Sequence, residues 1–196
     1  MKNKNSSLFI TLLATFSCFL LVIYTSCQKT NNNKYTCENL NCTNGGVCRN
    51  GVCYCPNGYQ GNNCDTGWNH KFIGVWNVHE TLTSSDTVGI KKDSLYVINI
   101  TPATASSTGI ASPTAFFMNN FLNNPRINNV GCVVDSPSTK FHFQPGQSFN
   151  GNSLVIISGN GSINTTGDAL TGTYTRIHLG ATTVIYDTLT FLMTRQ

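Results

Sequence analysis

Residues 37–64 read CENLNCTNGGVCRNGVCYCPNGYQGNNC, and their cysteine spacing, C-x4-C-x5-C-x4-C-x-C-x8-C, decides how the chain is organised. Six cysteines in 28 residues define a segment far too short to bury a hydrophobic core, so crosslinks must hold it. Cysteine count alone leaves their pairing open. Gly58 and Gly61 lie in the closing loop from Cys55 to Cys64, which must reverse sharply, and glycine supplies positive φ cheaply. Asn50-Gly51 is a hairpin turn signal between Cys48 and Cys53. Tyr59 is expected to pack on the crosslinks, because little else can cover so small a core.

This segment resembles the EGF-like family along its whole length. Asn44-Gly45-Gly46-Val47-Cys48 and Cys55-Pro56-Asn57-Gly58-Tyr59-Gln60-Gly61-Asn62-Asn63-Cys64 carry the resemblance. It implies the pairs Cys37–Cys48, Cys42–Cys53 and Cys55–Cys64, each contributing about 2–4 kcal/mol by restricting the unfolded chain. Zinc fits the spacing badly, since its sites use closely spaced cysteine pairs. Calcium is not expected: calcium-binding family members carry acidic or amide ligands before the first cysteine, and Asn33-Lys34-Tyr35-Thr36 has no acid. Val47 stands where a fucosylated member would have Ser or Thr.

Upstream, Lys2 and Lys4 precede an apolar run from Leu8 to Tyr24, followed by Thr25, Ser26 and Cys27. A charged start, an apolar centre and a small-residue exit make a secretory signal over residues 1–26. The rival reading is a retained membrane anchor, but the run carries Thr11, Thr15 and Ser17 and is short for a span. Tyr24-Thr25-Ser26-Cys27 resembles a bacterial lipobox, departing from it at Tyr24, where Leu is usual. The resemblance implies a lipid on Cys27, which would also remove an exposed thiol from an oxidising compartment. Residues 27–36 then form a polar tether. The expected location is the bacterial envelope, as an outer-membrane lipoprotein held to the membrane through Cys27.

Charged residues make up 10% of the chain, and strong helix formers are scarce. The net charge is +4; losing Lys2 and Lys4 with the leader leaves about +2. The basic residues are scattered, which argues against nucleic acid as a partner.

After a linker over 65–71, residues 72–196 read as strands separated by turns. Eight are expected: Phe72–Leu82, Ser94–Thr101, Ala115–Leu122, Asn128–Asp135, Thr139–Gln144, Ser153–Ile163, Ala169–Leu179 and Thr183–Thr194. Phe141 and Phe143 flank His142, and Leu170, Gly172 and Tyr174 alternate with threonines. Thr101 to Pro113 reads as a long loop. The expected fold is therefore mainly β: a small disulfide-rich module followed by an antiparallel eight-stranded barrel, with a β-sandwich as the alternative. Gly74-Val75-Trp76 resembles the G-x-W signature of lipocalins and related calycins, as in lipocalin-like domains of exported Bacteroidetes lipoproteins. The resemblance implies that Trp76 closes one barrel end and that Arg195, from the last strand, crosses it as a cation–π partner.

No nucleophile elbow, zinc-protease helix, P-loop or dinucleotide fingerprint is present. His70, His79, His142 and His178 are isolated, and His79 and Glu80 must point to opposite strand faces. Cooperating carboxylates cannot be assigned from the spacing. Cys132 lies in an apolar strand and reads as a buried inert thiol. Asp86-Thr87-Val88, Asp93-Ser94-Leu95 and Asp187-Thr188-Leu189 resemble the O-glycosylation site of exported Bacteroidetes proteins, which would modify Thr87, Ser94 and Thr188. The alternative is that these Asp residues simply start turns. The expectation is a surface protein whose EGF-like module and barrel hold an unknown protein, glycan or small apolar ligand, with no cofactor and no catalytic residue. The alternative is an envelope enzyme with its site in the barrel mouth.

Overall fold

A computed structural model describes residues 36–86, 93–104, 109–136, 138–180 and 182–196. The expected secretory signal over 1–26, Cys27 and Thr87 lie outside them. Among the described residues, no helix is long and apolar enough to cross a membrane.

The disulfide-knit module holds two short hairpin strands, β1 (Val47–Arg49) and β2 (Val52–Tyr54), paired antiparallel around the Asn50-Gly51 turn. Its crosslinks are Cys37–Cys48, Cys42–Cys53 and Cys55–Cys64. Strand β3 (Tyr59–Gln60) pairs with β4 (Thr66–Gly67), so the expected linker is itself folded. A 3-10 turn over Trp68–Phe72 follows. Tyr59 is half-buried, and its carbonyl accepts the Trp68 indole N–H at 3.2 Å.

Strands β5 (Gly74–Ser85), β6 (Asp93–Thr104), β7 (Ala111–Asn119), β8 (Val130–Val134) and β9 (Lys140–Phe143) run antiparallel in sequence order. After them come β10 (Gln147–Phe149), β11 (Leu154–Ile163), β12 (Ala169–Leu179) and β13 (Val184–Arg195). β13 returns to pair with β5, from Arg195 opposite Trp76 to Asp187 opposite Ser85. β9 pairs with β8 on one side and β11 on the other. The sheet therefore closes, which excludes the sandwich and removes the exposed edges an open sheet would carry.

Two departures from the expected strands have physical reasons. β9 and β10 both pair with the same edge of β11, at Asn160–Ser162 and at Leu154–Ile156. They are two halves of one bent strand, broken at Gly146, whose φ is +74°. Gln147 fills the break: its amide donates to the Gly131 and Gln144 carbonyls and accepts the Gly131 N–H. The second departure is the expected loop from Thr101 to Pro113, much of which is strand. β6 continues through Pro102 and β7 starts before Pro113, with a register shift between Pro102 and Thr104. Proline is tolerated at such an irregularity because a ladder bond is already missing there.

Inward positions follow strand parity. Trp76, Val78 and Glu80 point in from β5, and Leu189, Phe191 and Met193 from β13. One half of the interior is filled. Phe72 stacks on Phe116 at 5.1 Å, Phe116 meets Phe141 at 5.2 Å, Phe141 meets Phe143 at 5.9 Å, and Phe143 meets Tyr174 at 5.5 Å. Burying each such ring contributes about 1.5–3 kcal/mol. Glycine makes the room. A Cβ on Gly161 would stand 2.5 Å from Phe141 Cζ and 3.0 Å from Phe191 Cζ, and one on Gly172 would run into the same Phe191 ring.

Candidate functional site

The two barrel ends differ. At one, Trp76 is fully buried and its indole N–H donates to the Phe72 carbonyl at 2.8 Å. The Arg195 guanidinium carbon lies 4.4 Å from the Trp76 ring centroid. Arg195 donates to the Ile73 carbonyl at 2.9 Å, to Lys71 at 2.5 Å and to Gly167 at 3.1 Å. Gly74 sits at φ +133°, and a Cβ there would come within 3.0 Å of Arg195 Nη1. The expected motif residues Gly74, Trp76 and Arg195 thus form one closed end.

The EGF-like module packs beside that same end. Asn69 Nδ2 donates to the carbonyls of Ser112 and Ala115 at 2.8 and 2.7 Å, at the start of β7. Gly58 (φ +96°) lies against Pro113 and Thr114, and its Cβ would stand 2.9 Å from Thr114 Cγ2. Gln60 accepts a hydrogen bond from Ser138, which in turn accepts one from Lys71.

At the other end the interior is not filled. A cavity of about 590 Å³ opens above Tyr174, where the series of rings stops. Aliphatic side chains of Leu82, Leu122, Ile185 and Leu189 form much of its wall. Leu122 sits at φ +59°, in a turn where Asn120 and Asn123 are also left-handed. That conformation is costly for a branched residue and is found where the surroundings impose it.

Four ionisable side chains converge on this cavity. Glu80 is 1% exposed, and its Oε1 accepts the hydroxyls of Tyr174 at 2.7 Å and Tyr96 at 2.9 Å. Burial pushes its carboxyl above the usual range, against the lowering effect of the two hydroxyls and of Arg176. Asp187 accepts Ser85 Oγ at 2.7 Å and Arg176 Nε at 3.2 Å, and lies 3.2 Å from His178 Nε2. Burial and then Arg176 hold the His178 imidazole below its ordinary value, against Asp187. Among the described residues no buried side-chain N or O lacks a partner, and no cluster of His, Cys, Asp and Glu could hold a metal.

The other residues singled out in the sequence lie apart from this cluster. His79 is exposed on the face opposite Glu80, 3.9 Å from Asp93. His142 pairs with Asp135 at 2.8 Å and is nearly half exposed. Cys132 is buried and free, and burial raises its thiol far above the usual range, which leaves it unreactive. Ser94 lines the cavity, and Thr188 lies mid-strand, 3.4 Å from the Thr175 hydroxyl. Tyr96 and Arg176 were not named from the sequence, and Glu80 and Asp187 were read there only as the residue opposed to His79 and as part of a modification motif. The signal was there in parity: Arg176 and His178 continue the inward series Leu170, Gly172, Tyr174, and Asp187 continues the inward series of Leu189.

Residues 37–64 match the EGF-like domain family. No curated protein matches the chain. Among solved structures, the chain is similar to an S-type phycobiliprotein lyase from Guillardia theta, at 11% identity and a TM-score of 0.35, over 64% of this chain and 89% of that one. A likeness so distant carries no argument about activity.

Proposed function

We propose that this is an exported, lipid-anchored envelope protein whose barrel holds a small ligand in its open end. The observation that carries the binding reading is the asymmetry of the interior. Rings and glycines fit closely in one half, while the other half keeps a 590 Å³ cavity ringed by hydrogen-bonded polar groups. A cavity of this size, with polar and apolar lining in about equal share, suits a small organic ligand that carries both characters. The disulfide-knit module supports export, because such crosslinks persist in oxidising compartments. Its docking at the Trp76 end gives it a positional role: anything attached ahead of Cys37 leaves the cavity at the far end of the barrel.

The convergence of Glu80, Asp187, Arg176 and His178 also favours a second reading, an acid–base enzyme at the same place. Binding is preferred because Asp187 is fully engaged by Ser85, Arg176 and His178, and the Ser85 hydroxyl donates to this carboxylate rather than to an imidazole base. Amide NMR of the mature chain, titrated with a panel of small amines, acids, alcohols and sugars, tests the proposal. Shifts confined to the cavity-lining segments 80–85, 94–96 and 176–189 are expected. A panel that moves none of them overturns it.

A further inference from the structure

We infer that the open-end cavity takes a small organic amine, its ammonium seated on the Glu80 carboxyl and its apolar body against Leu82, Leu122 and Leu189. The inference rests on the reading that this cavity binds a ligand and adds the chemical class.

The ionisable set around the cavity is unbalanced. Among the described residues, two acids, Glu80 and Asp187, face one permanent cation, Arg176. That cation is already committed, since Arg176 Nε contacts Asp187 Oδ2 at 3.2 Å with side chains 17% and 8% exposed. His178 is the other basic group, and burial and Arg176 hold its imidazole below the ordinary value, against Asp187. Among the described residues, Glu80 is therefore a buried acid with no cation in hydrogen-bond contact. A carboxylate in that position is costly unless it is paired.

The surroundings of Glu80 are nevertheless built for the ionised form. Two hydroxyls, from different strands, donate to the same oxygen, Oε1. Neither uses Oε2. Burial holds the Glu80 carboxyl above its ordinary value, so without a cationic partner it keeps its proton to higher pH. An ammonium arriving at Oε2 would let Glu80 release that proton to solvent and form a charge-assisted pair, leaving two carboxylates, Arg176 and the ligand's positive charge in balance. Alkylamines arrive already protonated at neutral pH, as a lysine side chain is.

An anionic ligand is disfavoured by the same contacts. Arg176 is already offset by Asp187, and an anion would stand beside Glu80 with no further permanent cation among the described lining residues to meet it. The aliphatic walls call for an apolar body behind the charged head.

The test is calorimetry on the full mature chain with hexylamine, hexanoate and hexanol, in buffers of differing ionisation enthalpy. Hexylamine is expected to bind most tightly, with net proton release at pH just above the ordinary carboxyl value of 4.5, where the raised Glu80 still holds its proton. Glu80→Gln, which keeps the shape, is expected to weaken hexylamine by about tenfold or more and to abolish the proton release. Proton release is read on the wild-type chain, so the proposal stays exposed even if Glu80→Gln folds poorly. Tighter binding of hexanoate or hexanol, or hexylamine binding without proton release, overturns the amine assignment. If Leu82→Trp abolishes that binding, the cavity reading survives. Failure of all three probes overturns both.

Discussion

Arg195 is fixed over the Trp76 ring by hydrogen bonds to three backbone carbonyls, so the cation is in place whether or not the ring is there. Removing either residue therefore has a different cost. Trp76→Ala empties a fully buried aromatic site and should lower stability by about 3–5 kcal/mol. Arg195→Ala should cost less, about 0.5–2 kcal/mol. The double variant should lose less than the sum, because the two side chains touch. Denaturant unfolding of the four proteins reads the coupling, and strict additivity would contradict it.

Glu80 should make stability depend on pH. Its folded carboxyl holds its proton to higher pH than the ordinary value of 4.5. The unfolded chain therefore loses that proton first, and the folded chain binds more protons in the interval between. The contribution is fully present below pH 4.5 and is lost as pH rises through the folded value. Glu80→Gln should flatten this fall. Unfolding curves at several pH values show it as a narrowing gap between wild type and variant toward acid.

Gly161 faces two aromatic rings with no space for a methyl group. Gly161→Ala should displace Phe141 and Phe191 and cost about 1–3 kcal/mol, the range for overpacking. Loss of near-ultraviolet circular dichroism, with far-ultraviolet signal retained, is the expected signature.

Asn69, in the 3-10 turn that links the module to the barrel, ties that turn to the start of β7 through two carbonyls. Asn69→Ala should leave both unsatisfied and cost about 1–3 kcal/mol. Amide exchange should rise across 111–115 and in residues 58–67 while the three disulfides stay intact. Unchanged exchange would mean the module is held to the barrel by other contacts.

Cys27→Ser should move the protein from the membrane fraction to the soluble fraction of its native host. The expectation comes from Tyr24-Thr25-Ser26-Cys27 after an apolar run. A wild-type protein already soluble, or a variant that stays with the membrane, would refute it.

The module was legible because covalent spacing survives without tertiary context: six cysteines and two glycines fix a loop framework before anything packs. The barrel strands were legible through alternation, as in Phe141-His142-Phe143 and Leu170 to Tyr174. The bend between β9 and β10 was not, because Gln144-Pro145-Gly146 reads as the end of a strand, and only the shared partner β11 makes it an interruption. Both strands were expected, but their extensions through Pro102 and Pro113 were missed because proline usually ends a strand, and a register shift is invisible in one sequence. The cavity cluster was missed for a different reason. Glu80, Arg176 and Asp187 come from three strands, and a charged residue at inward parity reads as a local exception until closure brings the three together.

The pairing of β5 with β13 also bears on how the chain reaches this state. Gln196 and Asn77, bonded side chain to side chain, are 119 residues apart in sequence. Every other neighbouring pair in the ring joins strands closer along the chain, so the seam has the largest loop-closure entropy to overcome. A ribbon that has formed every other ladder still carries two open edges. Each of those edges can pair with the corresponding edge of a second molecule as readily as with its own. Refolding at high concentration therefore sets the intramolecular seam against an exchanged dimer with the same ladder, and dilution decides between them.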